Sequence, residues 1–265
     1  MEHIELFAPF DRLWAEKNVF QQAFSIEGEV FRNIKNRKTM RCTVGGGTYF
    51  IKLHGPTGWG EILKNLLMFK KPVLGAENEF RAIRLLESMN ISTMEIAAYG
   101  KRGKNPAGQE SFLITREICG KVPLEDFCSN WAENPPELSL KHRLIKELAT
   151  VIAKMHFNGM NHRDCYLCHF WLDTAALAND KVNLTVIDLH RAAIRKKIPR
   201  RLQIKDLAGI LFSSMDAGIS KRDVRRFAAV YRSFSKEELN LWKPVFRAAE
   251  KLYFKEWKKQ NPPIH

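Results

Sequence analysis

Lys154-Met-His156-Phe-Asn-Gly159-Met-Asn-His162-Arg163-Asp164, with Leu184-Thr-Val-Ile187-Asp188 further on, decides how this chain folds. Leu138 to Asn158 has helical periodicity, and Gly159 is a helix-ending residue. A polar loop from Asn161 to His169 then presents His162-Arg163-Asp164. Leu184 to Ile187 reads as a short apolar strand closing on Asp188. Upstream, Glu29–Ile34, Thr39–Val44 and Tyr49–Leu53 are rich in β-branched and aromatic residues. Turns at Asn36-Arg37-Lys38 and Gly45-Gly46-Gly47 separate them, which predicts an antiparallel meander. Helices are expected at Gly60–Lys70 and Ala76–Met89, then strands at Met94–Tyr99 and Ser111–Arg116. Beyond Asp188, helices are expected near Ile204–Met215, Lys221–Tyr231 and Lys236–Lys258. The reading is α+β and bilobal, with a β-rich N-lobe at 1–117 and a helical C-lobe at 118–265.

Composition fits a folded, basic protein. Of 265 residues, 45% are hydrophobic, enough for a substantial core in one or two domains. The longest apolar run is Leu207–Phe212, far short of a membrane span. Met1–Phe20 lacks the basic-then-apolar pattern of an export signal, so the chain is expected to stay where it is made, soluble or peripheral. The net charge of +14 calls for an anionic partner: nucleic acid, an anionic membrane surface or a phosphorylated or carboxylated substrate. Five cysteines in such a chain are expected to be reduced thiols. Cys165-Tyr-Leu-Cys168-His169 spells a haem-attachment motif, but that attachment normally takes place outside the cytoplasm. A zinc site from His162, Cys165, Cys168 and His169 lacks the usual second ligand pair.

The two aspartates match the layout of a kinase catalytic site. Phosphoryl transfer leaves a protein little covalent work, so catalysis is positioning plus charge neutralisation. Asp164 would accept or orient the proton of the attacking hydroxyl, and Asp188 would hold the metal on the ATP phosphates. The phosphate-holding cation should be Lys52, on the alternating strand Tyr49-Phe-Ile-Lys52, with Glu79 as its partner and Glu77 as second choice. Ser111–Ile118 reads as the strand into a hinge, where the backbone at Glu117 and Ile118 would take the adenine edge. No Gly-x-Gly-x-x-Gly loop is present, so Arg37 and Lys38 would meet phosphates through their side chains. Taken together the chain resembles the protein-kinase-like fold. Asp206, in Lys205-Asp-Leu-Ala208, resembles the aspartate that braces the catalytic loop in that fold, and His162 and Arg163 would be scaffolding.

The resemblance narrows. Asn161-His-Arg-Asp-Cys-Tyr-Leu-Cys-His-Phe170, Val186-Ile-Asp-Leu-His-Arg-Ala192 and Pro199-Arg-Arg201 with Lys205-Asp-Leu207 are similar to the lipopolysaccharide core heptose(I) kinase family. So are Lys64-Asn-Leu-Leu67, Pro72-Val-Leu-Gly-Ala76 and Trp131-Ala-Glu-Asn-Pro-Pro136. The resemblance implies transfer of the ATP γ-phosphate to O4 of the first heptose of the inner core. The acceptor would be a lipid-linked oligosaccharide at the cytoplasmic face of the inner membrane. It also brings acyl carrier protein as a partner, on the resemblance alone. The cofactors implied are ATP with Mg2+ or Mn2+. Two departures from the general kinase pattern stand out. His169 takes the place of the usual second metal-binding asparagine, and Asp188-Leu-His190 replaces Asp-Phe-Gly. Magnesium prefers oxygen, so His169 is a nitrogen ligand in question.

The run from Arg191 to Lys205 carries seven cations and no acid. Its position after Asp188 favours acceptor binding, with Arg191, Arg195, Arg200 and Arg201 as candidates. Gly58–Lys71 mixes apolar and basic residues and suits either a membrane surface or a core-packing helix. The alternative function is an atypical protein kinase using the same site. A nucleic-acid-binding module is disfavoured, because the cations accompany a complete Lys/Glu/Asp/Asp set and no aromatic-basic RNA motif stands out.

Overall fold

The computed structural model describes residues 2–34, 36–68, 75–235 and 240–260. In chain order it begins with β1 (Glu2–Leu6), α1 (Phe10–Leu13), α2 (Val19–Ser25), β2 (Glu29–Ile34), β3 (Arg37–Val44), β4 (Gly47–His54), α3 (Trp59–Leu67), α4 (Glu77–Ser88), β5 (Ser92–Thr93), β6 (Ile96–Arg102) and β7 (Glu110–Arg116). It continues with β8 (Lys121–Pro123), α5 (Leu124–Phe127), α6 (Leu138–Phe157), β9 (Met160–Asn161), β10 (Phe170–Asp173), α7 (Thr174–Leu177), β11 (Leu184–Val186), β12 (Ala193–Ile194), α8 (Arg200–Ser213), α9 (Lys221–Ser233) and α10 (Trp242–Gln260). Two compact units result: Met1–Arg84 with Met94–Cys119, and Leu85–Thr93 with Gly120–His265. Residues 85–93 go with the second unit because β5 pairs in parallel with β11.

The first unit is built on an antiparallel sheet in the order β1-β6-β7-β4-β3-β2. Alternation along β4 sends Tyr49, Ile51 and Leu53 to one face and Lys52 to the other. The first face meets α1 and α2 through Phe10, Trp14, Phe20 and Ala23, packed with Met40, Phe112 and Ile114. On the Lys52 side lies α4, where Phe80 stacks on Tyr99 at 3.8 Å. The start of α4 is tied to the sheet by the Ala76 N–H, which donates to Ser111 Oγ at 2.9 Å.

The second unit centres on the 20-residue α6, which packs against α9, while α8 packs against α10. A small sheet, β5-β11-β10-β8, and the pair β12-β9 frame the polar loop. Gly159 ends α6 with φ +84°, and a Cβ there would stand 1.9 Å from the Arg195 carbonyl oxygen. Only glycine satisfies both demands. α9 starts on a capping box between Ser220 and Asp223. Leu124, Leu144, Leu148, Ile210, Phe227 and Trp242 are among the residues lining an apolar cavity of about 80 Å³. Among the described residues no helix is long and apolar enough to cross a membrane. All five cysteines are free thiols.

Several expectations shift. The turn expected at Asn36-Arg37-Lys38 is displaced: Ile34 pairs with Arg37 and Asn33 with Lys38, so both cations lie in β3. The helix expected at Gly60–Lys70 begins at Trp59 and runs to Leu67, with 69–70 outside the described residues. Residues 236–239 of the last expected helix also lie outside them. α8 starts at Arg200, ahead of the expected Ile204, because Pro199 is extended and turns the chain into a helix at once. The polar loop is not wholly solvated, since Asn161 and His162 are fully buried.

Candidate active site

In the first unit Lys52 Nζ donates to both carboxylate oxygens of Glu79, at 2.7 and 2.9 Å. β4 supplies the lysine from its Glu79-facing side and the first turn of α4 supplies the acid. Glu79 is 3% exposed, whereas the lysine side chain keeps a quarter of its surface open. The pair therefore presents an ammonium held by a buried acid, with one side free for another anion. Glu77, the second choice, pairs with Lys101 instead.

Asp164 and Asp188 lie in the second unit, both on irregular backbone. Arg163, just before Asp164, has φ +74°, and Asp188 has φ +56°. Neither is glycine, and each such residue costs about 1–2 kcal/mol. Asp206 on α8 holds the loop: its Oδ2 accepts from the His162 N–H at 2.7 Å and its Oδ1 from the Arg163 N–H at 3.0 Å. Asp206 is 1% exposed. Behind it, His156 Nε2 lies 3.4 Å from Asp206 Oδ2, and His156 Nδ1 lies 2.7 Å from the Tyr231 hydroxyl. The carboxylate can only accept, so Nε2–H donates to Asp206, and Nδ1 shares its hydrogen bond with the Tyr231 hydroxyl. Burial, reinforced by Asp206, pushes the Tyr231 hydroxyl pKa far up, which keeps it protonated.

His162 Nε2 donates to the Ile187 carbonyl at 2.9 Å, linking the loop to the turn that carries Asp188. Burial lowers the His162 pKa, so the ring is neutral and its unpartnered Nδ1 is a bare lone pair. His169 stacks on His162 with ring centroids 5.5 Å apart. His169 Nδ1 meets the Asp164 carbonyl at 2.7 Å, and a carbonyl only accepts, so Nδ1 carries the proton. In the neutral ring the Nε2 lone pair then faces Asp188 Oδ2 at 3.5 Å. Two acceptors so placed suit a cation between them. Among the described residues no cluster of three or more His, Cys, Asp or Glu could enclose a metal ion. The Asp188 carboxylate offers the oxygen that a hard cation prefers, and the His169 nitrogen is the poorer donor for one. His190 Nδ1 lies 2.5 Å from Asp188 Oδ1.

The remaining candidates are spread more widely. Arg191 Nη1 donates to Asp164 Oδ1 at 2.6 Å. Arg195 donates to Asn161 Oδ1 at 2.8 Å, and Arg200 bonds the Asn240 carbonyl. Three of the four expected acceptor cations thus have partners within the chain, while Arg201 is exposed at the start of α8. The Glu117 N–H is committed to the Thr48 carbonyl at 3.0 Å, so that donor does not serve a nucleotide edge. The Glu117 side chain takes a bidentate bond from Arg41, which holds its carboxyl below the usual range. Arg37 and Lys38 are half-buried, and burial beside Arg32 lowers the Arg37 pKa. Sequence reasoning did not assign roles to His156, Tyr231, His190 or the Asn161–Arg195 pair. His190 had left a signal, as the third residue of the altered Asp-Leu-His motif.

A sheet unit with a Lys–Glu pair, and a helical unit with two aspartates on braced turns, define a phosphotransferase of protein-kinase-like fold. The model of the lipopolysaccharide kinase (Kdo/WaaP) family matches residues 21–231. Lipopolysaccharide core heptose(I) kinase WaaP of Pseudomonas aeruginosa is 45% identical over 251 residues, covering 92% of this chain and 94% of its own length. The protein of the same name from Escherichia coli K12 is 45% identical over 229 residues, 86% of each chain. A solved structure described as WaaP in complex with acyl carrier protein is 39% identical, with a TM-score of 0.80 over 95% of this chain and 99% of that one. The chain belongs to the lipopolysaccharide kinase (Kdo/WaaP) family.

Proposed function

We propose that this kinase transfers the γ-phosphate of ATP to O4 of the first heptose of the lipopolysaccharide inner core. The observation that carries the reading is the braced Asp164 loop, in a chain 45% identical over nearly its whole length to a named heptose(I) kinase. Asp164 orients the acceptor hydroxyl and takes up its proton as the oxygen attacks the γ-phosphorus, while the bond from that phosphorus to the bridging oxygen breaks and ADP leaves. Arg191, donating to the Asp164 carboxylate at 2.6 Å, places a cation beside the same anionic centre. Lys52, steadied by Glu79, holds nucleotide phosphates. Arg37 and Lys38 add positive charge along β3. The Glu117 carbonyl and the Ile118 amide are the hinge groups for adenine. Asp188, with His169 beside it, would hold Mg2+ or Mn2+, which would supply charge neutralisation on the phosphates. Asp206, with His162 and Arg163, sets the loop. Arg191, Arg195, Arg200 and Arg201 are the cations for an anionic acceptor, with Arg201 exposed at the start of α8.

The 1–117 and 118–265 parts take nucleotide clamping and acceptor chemistry respectively. Acyl carrier protein is the protein partner, supported by the solved relative named for that complex. The site of action is the cytoplasmic face of the inner membrane, where the charge of +14 favours peripheral binding to anionic lipid. The test is purified protein with γ-labelled ATP, offered heptose-bearing core lipid, a generic protein mixture or neither. Label on the lipid is expected. Label on protein alone would overturn the proposal in favour of a protein kinase.

A further inference from the structure

Helix α3 carries an apolar stripe that the first unit does not use. Trp59, Leu63 and Leu67 recur at every fourth residue and share one side of the helix. Trp59 and Leu63 are each 55% exposed and Leu67 is 81% exposed, with Met68 open beyond them. Ile62, by contrast, is buried and anchors the helix to the body of the unit. A helix with one anchored side and one bare apolar stripe has a partner to find.

The surroundings say which kind. The loop entering α3 is fixed by two polar ties. Asn36 Nδ2 donates to the Gly55 carbonyl at 2.8 Å and to Thr57 Oγ1 at 3.2 Å, which fastens the β2–β3 hairpin tip beside the helix. The Gly58 N–H donates to the Ala107 carbonyl at 2.9 Å, which fastens the Lys104–Gly108 turn there too. Those two segments also carry Arg32 and Lys104, and Lys64 sits on α3 itself. Glu61 on the helix lies within electrostatic reach of Arg37. The result is a tryptophan-led apolar stripe bordered by cations, the arrangement of helices that lie in a lipid interface. The cations face headgroup phosphates while the stripe enters the acyl boundary.

We propose that α3 is a membrane-docking element, binding the surface of an anionic phospholipid bilayer with Trp59, Leu63 and Leu67 inserted. A second copy of the chain would cover the stripe but would bring its own cations against these. The proposal deepens the membrane part of the proposed function and is read out as binding, so either can fail while the other stands.

The test is flotation of the full-length protein with vesicles of phosphatidylethanolamine and phosphatidylglycerol, and with vesicles of phosphatidylcholine alone. Wild-type protein is expected to float with the anionic vesicles and to be released by salt in part. The variant Trp59→Ser/Leu63→Ser/Leu67→Ser is expected to bind on the order of tenfold less or weaker, with an unchanged melting temperature because all three side chains are exposed. Equal flotation of variant and wild type would overturn the proposal. So would a wild type that ignores vesicles, whether it stays monomeric or self-associates through the stripe as seen by sedimentation. Phosphorylation of a soluble deacylated acceptor, measured alongside, reports on the kinase reading separately.

Discussion

The Lys52–Glu79 pair of the first unit and the Asp164–Asp188 turns of the second are held in place by different means. Lys52 and Glu79 sit on a regular strand and a regular helix, and each is the other's direct partner at 2.7 Å. The element geometry alone points them together. Asp164 and Asp188 sit on backbone that right-handed conformations do not supply, with positive φ at Arg163 and at Asp188. Their geometry is kept by groups that would never touch a substrate: Asp206, then His156, then Tyr231. A pair on regular elements is sensitive to its two members. A braced loop is sensitive to a chain of residues reaching across three helices.

The sharpest expectation concerns the aspartates themselves. Asp164→Asn and Asp188→Asn should each lower kcat by about 10²–10⁴, with little change in melting temperature. Asparagine tolerates the left-handed region as aspartate does, so Asp188→Asn leaves the turn intact. Steady-state kinetics with thermal melting checks both halves. Near wild-type turnover in either variant would remove that residue from the chemistry. Next comes Asp206→Ala, which strands the buried His162 N–H, the half-buried Arg163 N–H and one imidazole N–H. It should destabilise the protein by about 2–4 kcal/mol in urea unfolding and cost activity as well. A variant that keeps full activity would show that the loop holds its shape without the brace.

The same contrast explains what could be read in advance. Lys52 was legible because Tyr49-Phe-Ile-Lys52 alternates, and alternation assigns faces. Glu79 was legible as an acid in the first turn of a strongly periodic helix. Asp206 entered through resemblance to a fold, since nothing local distinguishes it from any helix aspartate. The links from Asp206 to His156 and from His156 to Tyr231 span 50 and 75 residues and leave no local pattern. Positive φ at Arg163 and Asp188 was hidden because neither residue is Gly or Asn. Arg37 and Lys38 were placed in a turn because polar residues between apolar runs look like one. Pairing of Arg37 with Ile34 and of Lys38 with Asn33 puts both in the strand. β5, β9 and β12 are two residues each, too short for any period to register. β1 alternates weakly, as an edge strand with its side chains largely open.

Glu79→Gln probes the other side of the comparison. It should lower kcat/KM by roughly tenfold to a hundredfold, because a neutral amide steadies the ammonium less well. Its effect on stability should be under about 1–2 kcal/mol, smaller than that of Asp206→Ala. The quarter of Lys52 left open lets its charge reach water once the carboxylate is gone. The measurement is urea unfolding beside kinetics at varied ATP. A stability loss equal to that of Asp206→Ala would break the distinction between a paired site and a braced one.

The smallest effect should come from Tyr231→Phe, the outermost link of the brace. It removes one hydroxyl hydrogen-bonded to His156 Nδ1 at 2.7 Å and leaves the ring's packing against Phe157 and Trp242 unchanged. The loss of one buried hydrogen bond predicts about 1 kcal/mol of destabilisation. A purely local role would stop there. If the brace transmits to the loop, the freed imidazole can turn, Asp206 loses its third donor, and the His162 and Arg163 amides are held less tightly. The expected signature is a drop in kcat with the KM for ATP unchanged, together with faster amide exchange at His162 and Arg163. A variant with the stability loss but wild-type kcat and exchange would confine Tyr231 to packing. The second unit's site would then depend on Asp206 directly, as the first unit's depends on Glu79.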